Sequence, residues 1–224
     1  MSDAATLELE KLKRRHDRNM RVAHARGLLD GIASMLRPGD IAVDCGANVG
    51  EVTGVLAATG AHVHCFEPDP FAFGKLSKRF GAAENVTLHQ AAVGLSVGQI
   101  TLMRAANFDD NPRGGSVKST VIAGGRGIDE AEAAGIAVHL VDFPAFLRGL
   151  IDTHGEIAFL KMDIEGAELD ILEEMERQSL FDPIRLTVAE THERKFKALR
   201  RRFRALKERV GAAFPPTKVN LDWI

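Results

Sequence analysis

The stretch Ile41-Ala-Val-Asp-Cys-Gly-Ala-Asn-Val-Gly50 decides the fold. Ile41 to Cys45 is an apolar run broken only by Asp44, and an apolar run closed by glycine reads as a buried strand. Gly46 and Gly50 carry the chain out of that strand and into a helix, because small and apolar residues follow at helical spacing from Asn48 to Thr59. Ala61-His-Val-His-Cys-Phe66 then reads as a second strand. Strand, glycine turn, helix and strand make a βαβ unit, whose two strands lie parallel.

The same rhythm continues outward. Pro68 and Pro70 stop the second strand and open a helix over Phe71–Phe80, since proline suits a first helical turn and not a central strand. Val86 to Gln90 reads as a third strand, Ile157–Met162 and Ile184–Ala189 as fourth and fifth, each of the latter two followed by a charged amphipathic helix. Lys218–Trp223 reads as a closing strand. A chain of 224 residues in this pattern is expected to form one α/β domain over 1–224 around a single core. Two segments break the rhythm. Residues 1–36 form an N-terminal extension, helical by propensity over Thr6–Leu29, expected to pack beside the sheet or against a second subunit as a homo-oligomer contact. Residues 104–135 hold six glycines and few large apolar side chains, too loose for core and too long for an ordinary connection. They are a candidate substrate lid, with a hairpin expected between Gln99–Met103 and Ser119–Ala123.

Composition excludes several classes. No run of about 18 uncharged apolar residues is present, so a membrane-spanning helix is not expected. Glu8, Glu10, Lys11, Lys13, Arg14, Arg15 and Asp17 deny the first thirty residues the apolar core of a secretory signal, and the expected location is the cytoplasm. Cys45 and Cys65 are read as buried thiols, with no disulfide and no metal. A formal charge of −2 argues against a general nucleic-acid binder. That balance conceals one basic segment, Glu193 to Arg209, with nine Lys/Arg and two Glu. Phe196, Leu199, Phe203, Leu206 and Val210 step by three and four along it, so it is an amphipathic helix with a buried stripe. Its other face is either simply solvated or a dock for an anionic partner such as an acidic glycan, a phosphorylated substrate or nucleic acid.

The chemistry concentrates after the strands. Glycine at 46 lets backbone approach a ligand, and Glu67, with Pro68 beside it, ends the second strand where a carboxylate can accept both hydroxyls of a ribose. Dinucleotide folds want G-x-G-x-x-G so that the helix N-terminus faces a pyrophosphate. Here Asn48 fills the middle-glycine slot and would obstruct one, while Asp44 would repel phosphates and attract an ammonium group. Ribose at one end and an amino-acid ammonium at the other describe S-adenosylmethionine. In the second motif, Phe159-Leu-Lys-Met-Asp-Ile-Glu-Gly-Ala-Glu-Leu-Asp-Ile-Leu172, Lys161 and Asp163 share one face of the strand, and Gly166 permits a tight turn. Glu168 is explained equally by the first turn of the following helix, where the dipole favours an acid.

Val43-Asp-Cys-Gly-Ala-Asn-Val-Gly50, Phe66-Glu67-Pro68, Ala91-Ala-Val-Gly94 and Leu160-Lys-Met-Asp-Ile-Glu-Gly-Ala-Glu168 together resemble the FkbM family of S-adenosylmethionine-dependent methyltransferases. Asn111-Pro-Arg-Gly-Gly-Ser116 is similar to the family's glycine-serine segment. The resemblance implies a class I methyltransferase fold, Rossmann-like, with a seven-stranded, mostly parallel sheet whose last strand is antiparallel. It also implies methyl transfer to a hydroxyl of a small molecule or glycan, with S-adenosylhomocysteine as the product. Asp44, Gly46, Ala47, Asn48 and Gly50 are then expected at the methionine and ribose end and Glu67 on the ribose. Many class I enzymes hold adenine with an Asp after the third strand; here Gln90, Ala91 and the backbone of His89-Gln-Ala-Ala92 stand in its place.

An alcohol must lose its proton as it attacks a methyl group. Val188-Ala-Glu-Thr-His192 sets Glu190 and His192 on one face beside Asp163, which makes His192 the candidate base, Glu190 its orienting partner and Asp163 the edge of methyl transfer. The same three residues could ligate a divalent cation that lowers the hydroxyl's pKa. Their spacing is no metal signature, and an oxygen-rich site needs further ligands, so no metal is assigned. The competing functions are a nicotinamide-dependent oxidoreductase and a non-catalytic module that keeps the fold.

Overall fold

In the computed structural model the described residues are 3–106, 108, 110, 112–116, 119–123, 128, 135–193 and 195–223. They form two units, a helix α1 (Asp3–Met35) and the body Leu36–Trp223. Along α1, exposed Glu8–Lys11 and Glu10–Arg14 pairs at i,i+3 and i,i+4 support the helix locally.

The body is built on β1 (Ile41–Cys45), β2 (His62–Phe66), β3 (Val86–His89), β7 (Ile157–Met162), β8 (Ile184–Ala189) and β9 (Val219–Asn220). These six strands lie in the order β3-β2-β1-β7-β8-β9. Every residue of β1 and β7 is buried, as central strands covered on both faces require. The helices are α2 (Glu51–Ala57), α3 (Pro70–Phe80), α6 (Glu168–Arg177) and α7 (Arg200–Ala213), with α5 (Phe143–His154) entering β7. Asp69 caps α3 by accepting from the Phe71 N–H, with Pro70 in the first turn, and Asp142 caps α5 in the same way through Ala145.

A second sheet has the order β4-β6-β5, from β4 (Ala92–Gly94), β5 (Gly98–Leu102) and β6 (Ile136–Asp142). It packs on a small apolar cluster of Ala92, Leu102 and Val138. The short helix α4 (Pro112–Ser116) lies between β5 and β6.

Two expectations about strands change. The main sheet has six described strands rather than seven, and β9 pairs parallel with β8, Thr187 opposite Val219, rather than antiparallel. The α7 crossover explains this: a strand that returns across a helix meets its neighbour in the same direction. The hairpin of Gln99–Met103 with Ser119–Ala123 is reduced to one antiparallel bridge, Met103 with Thr120, because β5 spends its edge on β6. The rest of the glycine-rich expectation, including 124–127 and 129–134, lies outside the described residues. Among the described residues no helix is long and apolar enough to cross a membrane.

Cys45 and Cys65 are free, buried thiols on adjacent strands. Burial pushes Cys65 up to about 12. His62 bonds Thr87, and His64 meets His89 and the Phe146 ring, so neither is presented as a ligand.

Candidate functional site

In a sheet of this order the chain reverses its direction of growth between β1 and β7, and the crevice beyond those two C-terminal ends is where ligands sit in open α/β folds. A cavity of about 390 Å³ opens there. Gly46, Asn48, Glu67 and Pro68 line one side, Asp163, Glu165 and Glu190 another, and Ala91, Ala92 and Leu102 add an apolar wall. Ser116, Ser119, Thr120 and Val121 from the 104–135 insertion complete the lining.

The loop after β1 takes its shape from close backbone contacts. Gly46 has φ +77°, and a β-carbon there would stand 1.7 Å from the Asp163 carbonyl oxygen. Asn48 adopts φ 48° and donates its backbone N–H to Glu67 Oε2 at 2.8 Å, while Asp69 N–H donates to Oε1 at 2.8 Å. Burial outweighs these two bonds and pushes the Glu67 carboxyl up to about 7. Gly50 lets α2 begin against the Phe80 and Leu76 side chains of α3, which a β-carbon would meet at 2.4 and 2.7 Å.

Under this loop lies an ion-paired base. Lys161 is almost wholly buried, 3.3 Å from Asp44 Oδ1 and 3.6 Å from Asp163 Oδ2, and it donates to the Gly46 carbonyl at 3.2 Å. Burial works against its charge, but Asp44 and Asp163 outweigh that and hold its pKa above the ordinary lysine value. Thr53 donates to the other oxygen of Asp44 at 2.7 Å.

Beyond β7 the backbone folds tightly, with Glu165 at φ 59° and Gly166 at φ 119°, where a β-carbon would strike the Phe196 ring at 2.1 Å. Glu168 is fully buried at the start of α6 and accepts the N–H groups of Ile164 and Gly166, both at 2.9 Å. Its Oε1 also holds His192 Nδ1 at 2.9 Å. That leaves His192 Nε2 facing Glu165 at 3.5 Å and Asp163 and Glu190 at 3.9 Å each. Burial opposes the imidazolium, but Glu168, then Glu165 and Asp163, outweigh it and raise His192 to about 9. Burial, with Asp163 nearby, lifts Glu190 to about 7.

A family model described as the methyltransferase FkbM domain matches residues 44–210, three quarters of the chain and every residue that lines this cavity. The chain belongs to the FkbM methyltransferase domain family. A solved methyltransferase FkbM from Methylobacillus flagellatus KT is 22% identical, over 64% of this chain and 31% of its own, with a TM-score of 0.35. The chain thus spans about a third of that relative's length. No curated protein matches it.

Within this FkbM domain the cavity gathers Gly46, Asn48, Glu67, Pro68, Ala91, Asp163 and Glu190 from the residues expected by sequence. Others are elsewhere. Asp44 is 0% exposed, accepts from Thr53 and lies 3.3 Å from Lys161, and it is not among the residues that line the cavity. Ala47 is buried and Gly50 packs on α3, and both shape the loop without lining the cavity. Gln90 is exposed to solvent, outside the lining. The partner that orients His192 is Glu168, not Glu190, which lies beyond hydrogen-bond reach of the ring.

Sequence reasoning missed the insertion's anchors. Arg104 forks onto Asp69 at 2.9 and 3.0 Å, Ser119 donates to the same carboxylate at 3.1 Å, and Thr120 donates to the Glu165 carbonyl at 2.7 Å. The insertion therefore spans the cavity from the α3 cap to the loop after β7. Asp69-Pro70 carried the cap signal, but nothing in one dimension announces that the cap also holds an arginine thirty-five residues on.

The basic segment also resolves. Arg202 pairs with Asp170 and Glu173, Arg209 with Glu176, and Lys207 with Glu193 and Asp222, so much of its charge faces acids of α6 and the C-terminal loop. Phe196, Phe203, Leu206 and Val210 are buried as its stripe requires.

Proposed function

We propose that this domain transfers a methyl group from S-adenosylmethionine to a hydroxyl oxygen of a small molecule or glycan. The observation that carries the reading is that one cavity is lined by Glu67 from the end of β2 and by Asp163 and Glu190 from beyond β7 and β8. Both Glu67 oxygens already accept one backbone N–H each, and each keeps a lone pair for a ribose hydroxyl. The Asn48 side chain, 3.4 Å from Ser116, stands over the glycine loop and supports a ligand without a pyrophosphate.

In the reaction an acceptor oxygen attacks the methyl carbon in line, the C–S bond breaks with its electron pair going to sulfur, and S-adenosylhomocysteine leaves. The cavity walls supply alignment, the larger share of the acceleration. The hydroxyl proton goes to Glu190, whose carboxylate lines the cavity, whereas both His192 nitrogens face carboxylates. Asp163 borders the site of transfer. Incubation with methyl-labelled S-adenosylmethionine and a panel of hydroxylated metabolites and glycans tests the reading: label in an ether product supports it, and label confined to amines or thiols overturns the oxygen assignment.

A further inference from the structure

His192 is the most constrained polar group of the site. Its ring is 11% exposed, and Glu168 takes Nδ1. Nε2 is aimed at Glu165 Oε2, Asp163 Oδ1 and Glu190 Oε1, at 3.5 to 3.9 Å, and makes a hydrogen bond to none of them. Such distances are long for hydrogen bonds. They suit atoms that share an ion: a cation held at about 2.1 Å separates adjacent ligands by about 3 Å and opposite ones by about 4.2 Å. The Asp163, Glu165 and His192 donor atoms all lie within 4.8 Å of one another.

The outer contacts fit the same purpose. A metal-ligating imidazole gives its second nitrogen to a carboxylate or carbonyl, and Glu168 does this from a position locked by two backbone N–H groups. Lys161 lies on the Oδ2 side of Asp163 and leaves Oδ1 toward His192, while Lys195 donates at 2.8 Å to Glu165 Oε2, the same oxygen that faces His192. Among the described residues, the five carboxyl groups of Asp44, Asp163, Glu165, Glu168 and Glu190 share three basic neighbours, Lys161, Lys195 and His192, so acids outnumber bases in the cluster. A buried excess of acids calls for a cation.

We propose that Asp163, Glu165 and His192 bind one divalent transition cation at the cavity edge, with Glu190 beside it. One nitrogen and two carboxylates select Mn²⁺ or Fe²⁺ over Mg²⁺, which prefers oxygen alone. Asp163, Glu165 and Glu190 line the cavity, so the ion faces the space where the acceptor sits. It can therefore take the acceptor's oxygen as a ligand. The choice of an oxygen acceptor rests on the methyl-transfer reading; the binding of the ion does not.

The test is a Mn²⁺ titration of the full chain followed by electron paramagnetic resonance of the free ion, run with and without S-adenosylhomocysteine. One Mn²⁺ per chain is expected, with Mg²⁺ a weaker competitor. Asp163→Asn and Glu165→Gln should each weaken it about 10-fold or more, while the far-ultraviolet circular dichroism of both variants matches that of the unmodified chain, which shows that they are folded. Absence of Mn²⁺ binding up to about 1 mM, a Kd near 4 kcal/mol of binding energy, overturns the metal site, as does binding that both variants leave unchanged. Loss of S-adenosylhomocysteine binding by the unmodified chain, with Mn²⁺ still bound, contradicts the methyl-transfer reading and not the metal site.

Discussion

Gly46 and Asp163 meet backbone to backbone, so closely that a methyl group on Gly46 would overlap the Asp163 carbonyl oxygen at 1.7 Å. The Asp163 N–H donates to the Cys45 carbonyl at 3.0 Å beside this contact. The two loops that carry the donor end and the reacting end of the cavity are therefore one rigid joint. Gly46→Ala must displace backbone and also occupy a left-handed φ, together costing about 2–4 kcal/mol. A fall of the unfolding free energy by that amount, with loss of donor binding, is the expected result of a urea denaturation series.

Removal of Arg104 should loosen the insertion. Asp69 is fully buried, and among the described residues its carboxylate keeps Phe71 N–H and Ser119 when the guanidinium is gone. Arg104→Ala is expected to cost about 3 kcal/mol, as breaking a buried pair does. Hydrogen exchange gives the local reading: the Met103 and Thr120 amides, which bond each other's carbonyls at 2.8 and 2.9 Å, should lose protection before the β1 and β7 amides do.

These two contacts mark how far the sequence could be read. β1, β7 and β8 were legible because central parallel strands are apolar on both faces, β2 and the edge strand β3 because they follow the same spacing, and the glycine turn and Glu67 announce themselves by position at strand ends. The burial of Asp44 against Lys161 was not legible, since alternation along a strand does not say which face holds the ligand, and Lys161 lies on a strand more than a hundred residues away. Glu168 satisfied a helix-dipole rule that concealed its grip on His192. β6 and α5 were overlooked beside the glycine-rich stretch, although Asp142 and Pro144 form a plain helix start. The direction of β9 follows from the α7 crossover, a tertiary fact that no local pattern carries.

Donor affinity should depend on pH through Glu67. Its carboxyl, raised from 4.5 to about 7 by burial, is stable in the fold as the neutral acid. The donor-free chain therefore keeps this group's favourable contribution below the unfolded value and loses it as pH rises toward 7. Binding works in the opposite sense, because ribose hydroxyls are accepted best by the ionised form. Calorimetric titration with S-adenosylhomocysteine should show affinity rising between about pH 6 and 8 and then levelling, with Glu67→Gln weaker overall and flat with pH.

Glu190→Gln keeps the shape of the cavity wall and removes a proton acceptor. With a confirmed acceptor, kcat should fall about 10²–10⁴-fold, the usual range for a positioned base, while S-adenosylhomocysteine affinity stays unchanged. Equal losses in both would make Glu190 part of the donor site instead.

The central claim is that this FkbM domain holds a methyl donor, with Glu67 on its ribose. Calorimetry of the full chain against S-adenosylhomocysteine and, separately, against NAD tests it most directly. The account predicts one S-adenosylhomocysteine per chain, weakened in Glu67→Ala, and no heat with NAD. Binding of NAD without S-adenosylhomocysteine, or donor binding indifferent to Glu67, would contradict it.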